Sequence, residues 1–233
     1  MKIPVKKQNN KGFSLIELMI AMTITLILLG ITAGLFSSAM GTRARETRKT
    51  DALIEARAAI NVISREVANS GYGMASKAVE SYKPINGIVL SDSNANRIHF
   101  NSNVVNSNGC SKDRGEDVTY FFDEPTRSIV RHERFATDAV SNNPCSSSAL
   151  AKTETSVVVN RISNITLRYF NYAGSDSDPL EADGTATPTA NTSRIRITVE
   201  VELEEVQGQP RNQKVKFSSD VTLRNSNYML DQY

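Results

Sequence analysis

From Leu18 to Phe36 the chain runs for 19 residues without a charge, most of them Leu, Ile, Met and Ala. As a helix rising about 1.5 Å per residue, that run is long enough to cross about 30 Å of hydrocarbon. No other stretch is comparably apolar. After Phe36 the pattern changes to one-sided. Between Ser37 and about Ser70 there is no proline, and Leu53, Ala56, Ile60, Ile63 and Val67 recur at alternating spacings of 3 and 4. This is one apolar stripe on an amphipathic helix. Arg43, Arg48, Asp51, Glu55, Arg57, Arg65 and Glu66 occupy the other faces, and Gly71 and Gly73 supply the stop. The pattern predicts one helix from Phe13 to about Asn69, roughly 85 Å long. Gly30 and Gly34 are the places where it is expected to bend or locally melt.

Beyond the helix the period shortens to two. Ile85 to Leu90, Arg97 to Asn101, Asp117 to Asp123, Ser128 to His132, Val157 to Val159 and Ile165 to Tyr172 are short runs rich in β-branched and aromatic residues. The Glu124-Pro125-Thr126-Arg127 turn is expected to pair the Asp117 and Ser128 runs. Arg194 to Glu204 alternates strictly, with Ile195, Ile197, Val199, Val201 and Leu203 on one face. It predicts a half-buried antiparallel strand, with Val215 to Leu223 as its hairpin partner through Gly208-Gln209-Pro210. Ser/Asn/Gly-rich loops are expected at 102–116, 137–155 and 173–193. The chain shows no internal repeat and no second domain. The fold class is α+β: a long N-terminal helix packed on an antiparallel β-sheet headgroup.

The residues before the apolar run do not fit a secretory signal peptide, whose cleavage site follows its apolar region. Here the candidate cut, after Gly12, precedes it, so cutting would retain the helix and expose Phe13. Lys11, Gly12, Phe13, Ser14, Leu15, Ile16 and Glu17 together resemble the type IV prepilin signal: basic leader, Gly, aromatic residue, then Glu five positions into the mature chain. Ile63 to Gly73, Val158 to Tyr169 and Val221 to Asn225 also look like PilW-like minor pilins and the related J-type minor pseudopilins of type II secretion. The resemblance implies a pilin fold with a leader (1–12) that is removed, a transmembrane or fibre-core half-helix (13–36), an amphipathic half (37–70) and a β-rich headgroup (71–233). It further implies cleavage between Gly12 and Phe13, N-methylation of Phe13, and Glu17 as the assembly carboxylate that pairs with the amine of a neighbouring subunit. The implied partners are a prepilin peptidase and methylase, an inner-membrane assembly platform, inner-membrane lipid, and other minor and major pilins. The expected location is a single pass of the inner membrane with a periplasmic headgroup, then the extracellular fibre.

Charge fits that orientation. The leader carries Lys2, Lys6, Lys7 and Lys11 and no acid, which places it in the cytoplasm. Arg43, Arg45, Arg48 and Lys49 on the far side weaken the asymmetry. The formal charge of the 233 residues is +2, but without the leader 23 basic face 25 acidic side chains. That argues against an overall basic nucleic-acid-binding surface, while a local patch remains compatible with it. In an oxidising compartment the two cysteines, Cys110 and Cys145, read as a disulfide. Its loop of about 35 residues would contribute about 3–4 kcal/mol in the chain-entropy account. Two unpaired thiols, or a zinc site completed by His99 and His132, are the other readings, and no CxxC or HxxxH spacing supports the second.

Other chemistry is sparse. Asp176, Asp178, Glu181 and Asp183 crowd one loop, but Leu180 and Pro179 break an EF-hand register and a solvated loop is the simpler reading. Tyr72, Tyr82, Tyr120, Tyr169 and Tyr172 read as core or sheet residues rather than a base-stacking platform. No nucleophile motif, paired-carboxylate signature or phosphate-binding glycine loop is present, so neither an enzyme, a cofactor nor a metal is expected. The function expected is structural: a minor type IV pilin, PilW-like, that helps prime pilus assembly and sits at the fibre tip. A J-type pseudopilin and a tip adhesin or DNA-binding module are the alternatives.

Overall fold

In a computed structural model, residues 12, 14–74, 86–104, 111–137, 150–172, 183–203, 213–226 and 229 are described. The first element, α1 (Leu15–Ala68), is one α-helix of 54 residues. Gly30, Gly34 and Gly41 lie inside it without a break. The local melting expected at Gly30 and Gly34 is therefore not seen, because helical backbone bonding continues through both. Two compact units divide the chain: residues 1–47 with 206–209, and residues 48–205 with 210–233.

In the first unit the helix surface is apolar and open. Leu15 is 77% exposed and Phe36 68%, and the large apolar side chains between them are likewise exposed. The few polar groups turn inward on the backbone. The hydroxyls of Thr25 and Thr32 donate to the carbonyls of Ala21 and Leu28 at 2.8 and 2.9 Å, and Thr23 bonds to Met19 in the same way. Such back-bonding leaves no unsatisfied donor on an apolar helix.

The second unit holds the end of α1 and two antiparallel sheets. Strands β1 (Arg97–Asn101), β2 (Asp117–Asp123), β3 (Ser128–Thr137) and β4 (Leu150–Val159) form one in sequence order. Strands β5 (Ile162–Asn171), β6 (Thr192–Glu202) and β7 (Lys214–Thr222) form the other. The headgroup is antiparallel, as expected of the α+β class, with the described strands divided over two sheets. Both expected hairpin pairings occur: β2 with β3, and β6 with β7. Ile195, Ile197, Val199 and Val201 of β6 face the core, as their alternation requires, beside Ile165, Leu167 and Tyr169 of β5.

The helix contributes Ala52, Ala56, Ala59, Ile60, Ile63 and Val67 to that core. Leu53, placed in the stripe on spacing, is only half-buried. The buried line begins instead at Ala52, so small side chains occupy the first two turns of the contact. The helix stops at Ala68, and Gly71 and Gly73 follow with φ of 76° and 68°. Gly73 lies against the Asn103 carbonyl, where an added Cβ would approach to 2.6 Å. Tyr72, between the two glycines, is 53% exposed rather than in the core, because the chain reverses there. Tyr120 and Tyr169 are fully buried, as expected. Tyr82 lies outside the described residues.

Strand boundaries depart furthest from the sequence pattern at three places. The described part of Ile85 to Leu90 makes only a single bridge, Ile88 to Phe100, and then a 3-10 turn at Leu90–Asp92. Asn86 and Gly87 explain this. Gly87 takes φ of 72°, and the Asn86 amide donates to the carbonyls of Thr189, Ala190 and Thr192 at 3.0–3.1 Å. Strand β4 begins at Leu150, well inside the expected loop at 137–155. Strand β3 likewise runs on to Thr137.

Candidate functional site

The sequence places the functional residues at the start of α1. Gly12 is exposed, and a Cβ added there would have no neighbour within 4 Å. Phe13 lies outside the described residues. The amide of Leu18 donates to the carbonyl of Ser14 at 3.2 Å, which makes Ser14 the N-cap position of the helix. Glu17 is then the third helical residue, exposed, in the first turn. A carboxylate there faces the positive end of the helix dipole. Ser14 and Glu17 also have the Ser-x-x-Glu spacing of a capping box. Sequence reasoning gave Glu17 a role and named Ser14 only as part of the leader motif. The signal that would have found it is the hydroxyl three residues ahead of the glutamate.

The other candidate residues scatter over the second unit. His99 on β1 is held from both sides: Nδ1 is 2.9 Å from Asp92 Oδ2, and Nε2 is 2.7 Å from Asp117 Oδ1. The hydrogen bond to Asp117 raises the imidazole pKa above its ordinary value, burial opposes this, and Asp92 adds to the rise. Two carboxylate partners require both ring nitrogens to donate, which is the imidazolium form. Arg97 Nη2 also reaches Asp92 Oδ2 at 2.9 Å. His132 on β3 bonds through Nδ1 to Thr155 Oγ1 at 2.9 Å. The two histidines therefore have separate partners. Among the described residues no His, Cys, Asp and Glu cluster is arranged to hold a metal ion. Cys110 and Cys145 lie outside the described residues, as do Asp176, Asp178 and Glu181; Asp183 is exposed.

Buried charge concentrates where α1 meets the first sheet. Glu66 Oε2 accepts from Tyr120 Oη at 2.8 Å and from Arg131 Nε at 3.0 Å. Arg131 continues to Glu133, whose side chain is 8% exposed, and Arg114 bridges Glu133 and Glu154. Burial raises the Tyr120 pKa, with the Glu66 charge adding to it. The phenol therefore stays a donor and locks the helix to β2.

Comparison with known proteins points to the start of α1. Residues 7–33 match the family model of the prokaryotic N-terminal methylation motif. The chain carries a type IV pilin-like prepilin leader. The matched span covers the second half of the leader, the Gly12–Phe13 junction, Glu17 and most of the apolar run. That motif marks structural pilin and pseudopilin subunits rather than an enzyme family, and a prepilin peptidase and other pilins are the partners it implies. No curated protein matches the chain at a significant level. The apolar half of α1 is long enough to cross a membrane, and none of its most apolar window is buried within the protein.

Proposed function

We propose that the protein is a PilW-like minor type IV pilin, cut after Gly12, N-methylated on Phe13 and assembled through its apolar helix. The observation that carries this reading is the methylation motif at 7–33 running directly into a helix whose apolar surface is open on every side. An apolar helix held in a bilayer leaves it at little cost only when other helices replace the lipid, and a bundled fibre core offers that replacement. The headgroup stays outside the inner membrane, and the subunit joins other minor pilins to prime the fibre and sits at its tip.

Intact-mass measurement of chain recovered from membranes and from sheared fibres tests the proposal. The expected product lacks Met1 to Gly12 and has gained one methyl. A mature N-terminus beyond Phe36, or full-length chain in fibres, would overturn it. Deleting the gene should remove surface pili; loss of an exported enzyme with pili intact would instead assign the chain to a secretion pseudopilus.

A further inference from the structure

The outer face of the second sheet concentrates arginine. With Ile195 and Ile197 turned into the core, Arg194 and Arg196 of β6 project the other way. Strand register places Arg196 directly opposite Arg168 of β5 on one side and Asp220 of β7 on the other. Arg194 lies opposite Phe170, and its guanidinium sits 4.2 Å from the Phe170 ring centroid, with that of Arg196 at 5.3 Å. Phe170 is itself buried beneath them. The segment that runs over this ring passes through Gly184, where a Cβ would come within 3.0 Å of Phe170 Cζ.

Among the described residues, Asp220 is the carboxylate within ion-pair reach of this group. Asp220 takes Arg196 in a two-pronged pair at 2.7 and 2.9 Å, and Arg194 only at 4.0 Å. Among the described residues, Arg168 meets a backbone carbonyl, Gly184 O at 3.0 Å, rather than an acid. Like charges directly opposite on a sheet destabilise it. The next rows are less basic: Thr198 bonds to Ser218, and Glu200 meets Lys214 and Lys216, one acid against two bases. Among the described residues, basic charge therefore outweighs acid along this face, on a chain whose residues after the leader carry slightly more acid than base.

We propose that the Arg168–Arg194–Arg196 face docks a carboxylate-rich segment of another polypeptide. Guanidinium forks match carboxylates in pairs, and stacking on Phe170 holds two of them with little rotamer freedom left to lose. Single-stranded nucleic acid needs open rings on which its bases stack. Among the described residues of this face the ring is Phe170, and arginines cover it.

The test uses the full chain in neutral detergent micelles with a fluorescent poly-glutamate peptide, followed by anisotropy, and an oligothymidylate of similar length as the competing probe. The peptide is expected to bind and to be released by salt. Arg168→Gln with Arg194→Gln should weaken it about tenfold. Removing two charges elsewhere, by Arg134→Gln with Lys152→Gln, should change it less than about twofold. A melting curve of each variant checks folding, and Arg168→Gln alone, which leaves the Phe170 stack in place, should already weaken binding measurably. Absence of peptide binding, equal loss in both double variants, or tighter binding of the oligothymidylate would overturn the proposal.

Discussion

Two aspartates on one imidazole make His99 the clearest titratable contact in the headgroup. Asp92 and Asp117 face it from the 3-10 turn and from β2, and Arg97 shares Asp92. Because its pKa is raised in the folded protein, the clamp contributes fully below the unfolded value of about 6.5 and is lost as pH rises through the folded value. One charge-assisted hydrogen bond is worth about 1.5–3 kcal/mol. His99→Gln is therefore expected to lower the melting temperature by a few degrees at pH 5.5. At pH 8.5 the gap between wild type and variant should be clearly smaller. An equal gap at both values would show that the imidazolium contributes nothing.

At the scale of elements, a helix and a sheet are joined by one charged chain from Glu66 through Arg131 to Glu133. Arg131→Met removes the middle of it, leaving Glu133 buried with only the more exposed Arg114 for support. Stranding a buried charge costs about 3–5 kcal/mol, and the partial exposure of this site places the expected loss near the lower end. Glu66→Gln keeps an oxygen for the Tyr120 hydroxyl and should cost less. Urea unfolding midpoints of the two variants check the order, and a larger loss for Glu66→Gln would refute it. The same elements show what the sequence made legible. Strand β6 could be read residue by residue because one face is core and the other solvent. Strand β4 could not: Lys152 to Val157 are exposed on both faces, so no alternation exists, and only pairing to β3 makes the segment a strand. The stretch after Asn86 failed for the opposite reason, since its apolar residues read as strand while Asn86 and the left-handed Gly87 commit the backbone to a turn. The helix stripe was legible from Ala56 to Val67 but not at its edge, because Ala52 and Ala59 carry too little side chain to mark a buried face. The leader junction was legible because its chemistry is local in sequence. Arg168, Arg194, Arg196 and Asp220 come together only through strand register, which no spacing announces.

At the scale of the whole molecule, the question is what Glu17 does when α1 exchanges lipid for protein. It occupies the first helical turn, at the edge of a surface that is otherwise apolar as far as Phe36. In a bilayer it can stay near the interface by snorkelling, and the helix dipole favours its charge there. Packed inside a fibre the same carboxylate would lose that water, and a lone buried charge is costly unless a cation meets it. The methylated amine of Phe13 on an adjacent subunit is the cation the proposed processing creates. Glu17→Ala should therefore still insert and still be cut after Gly12, since leader and apolar run are intact. It should accumulate in the membrane and be depleted in sheared fibres, by an order of magnitude or more if the pair contributes about 1.4 kcal/mol or above. Glu17→Asp, one methylene shorter, should fall between the two. Mass spectrometry of membrane and fibre fractions, side by side, separates this role from one in processing alone. If Glu17 serves only peptidase or methylase recognition, the variant will keep its leader or lack its methyl, and any fully processed chains will enter fibres as readily as wild type.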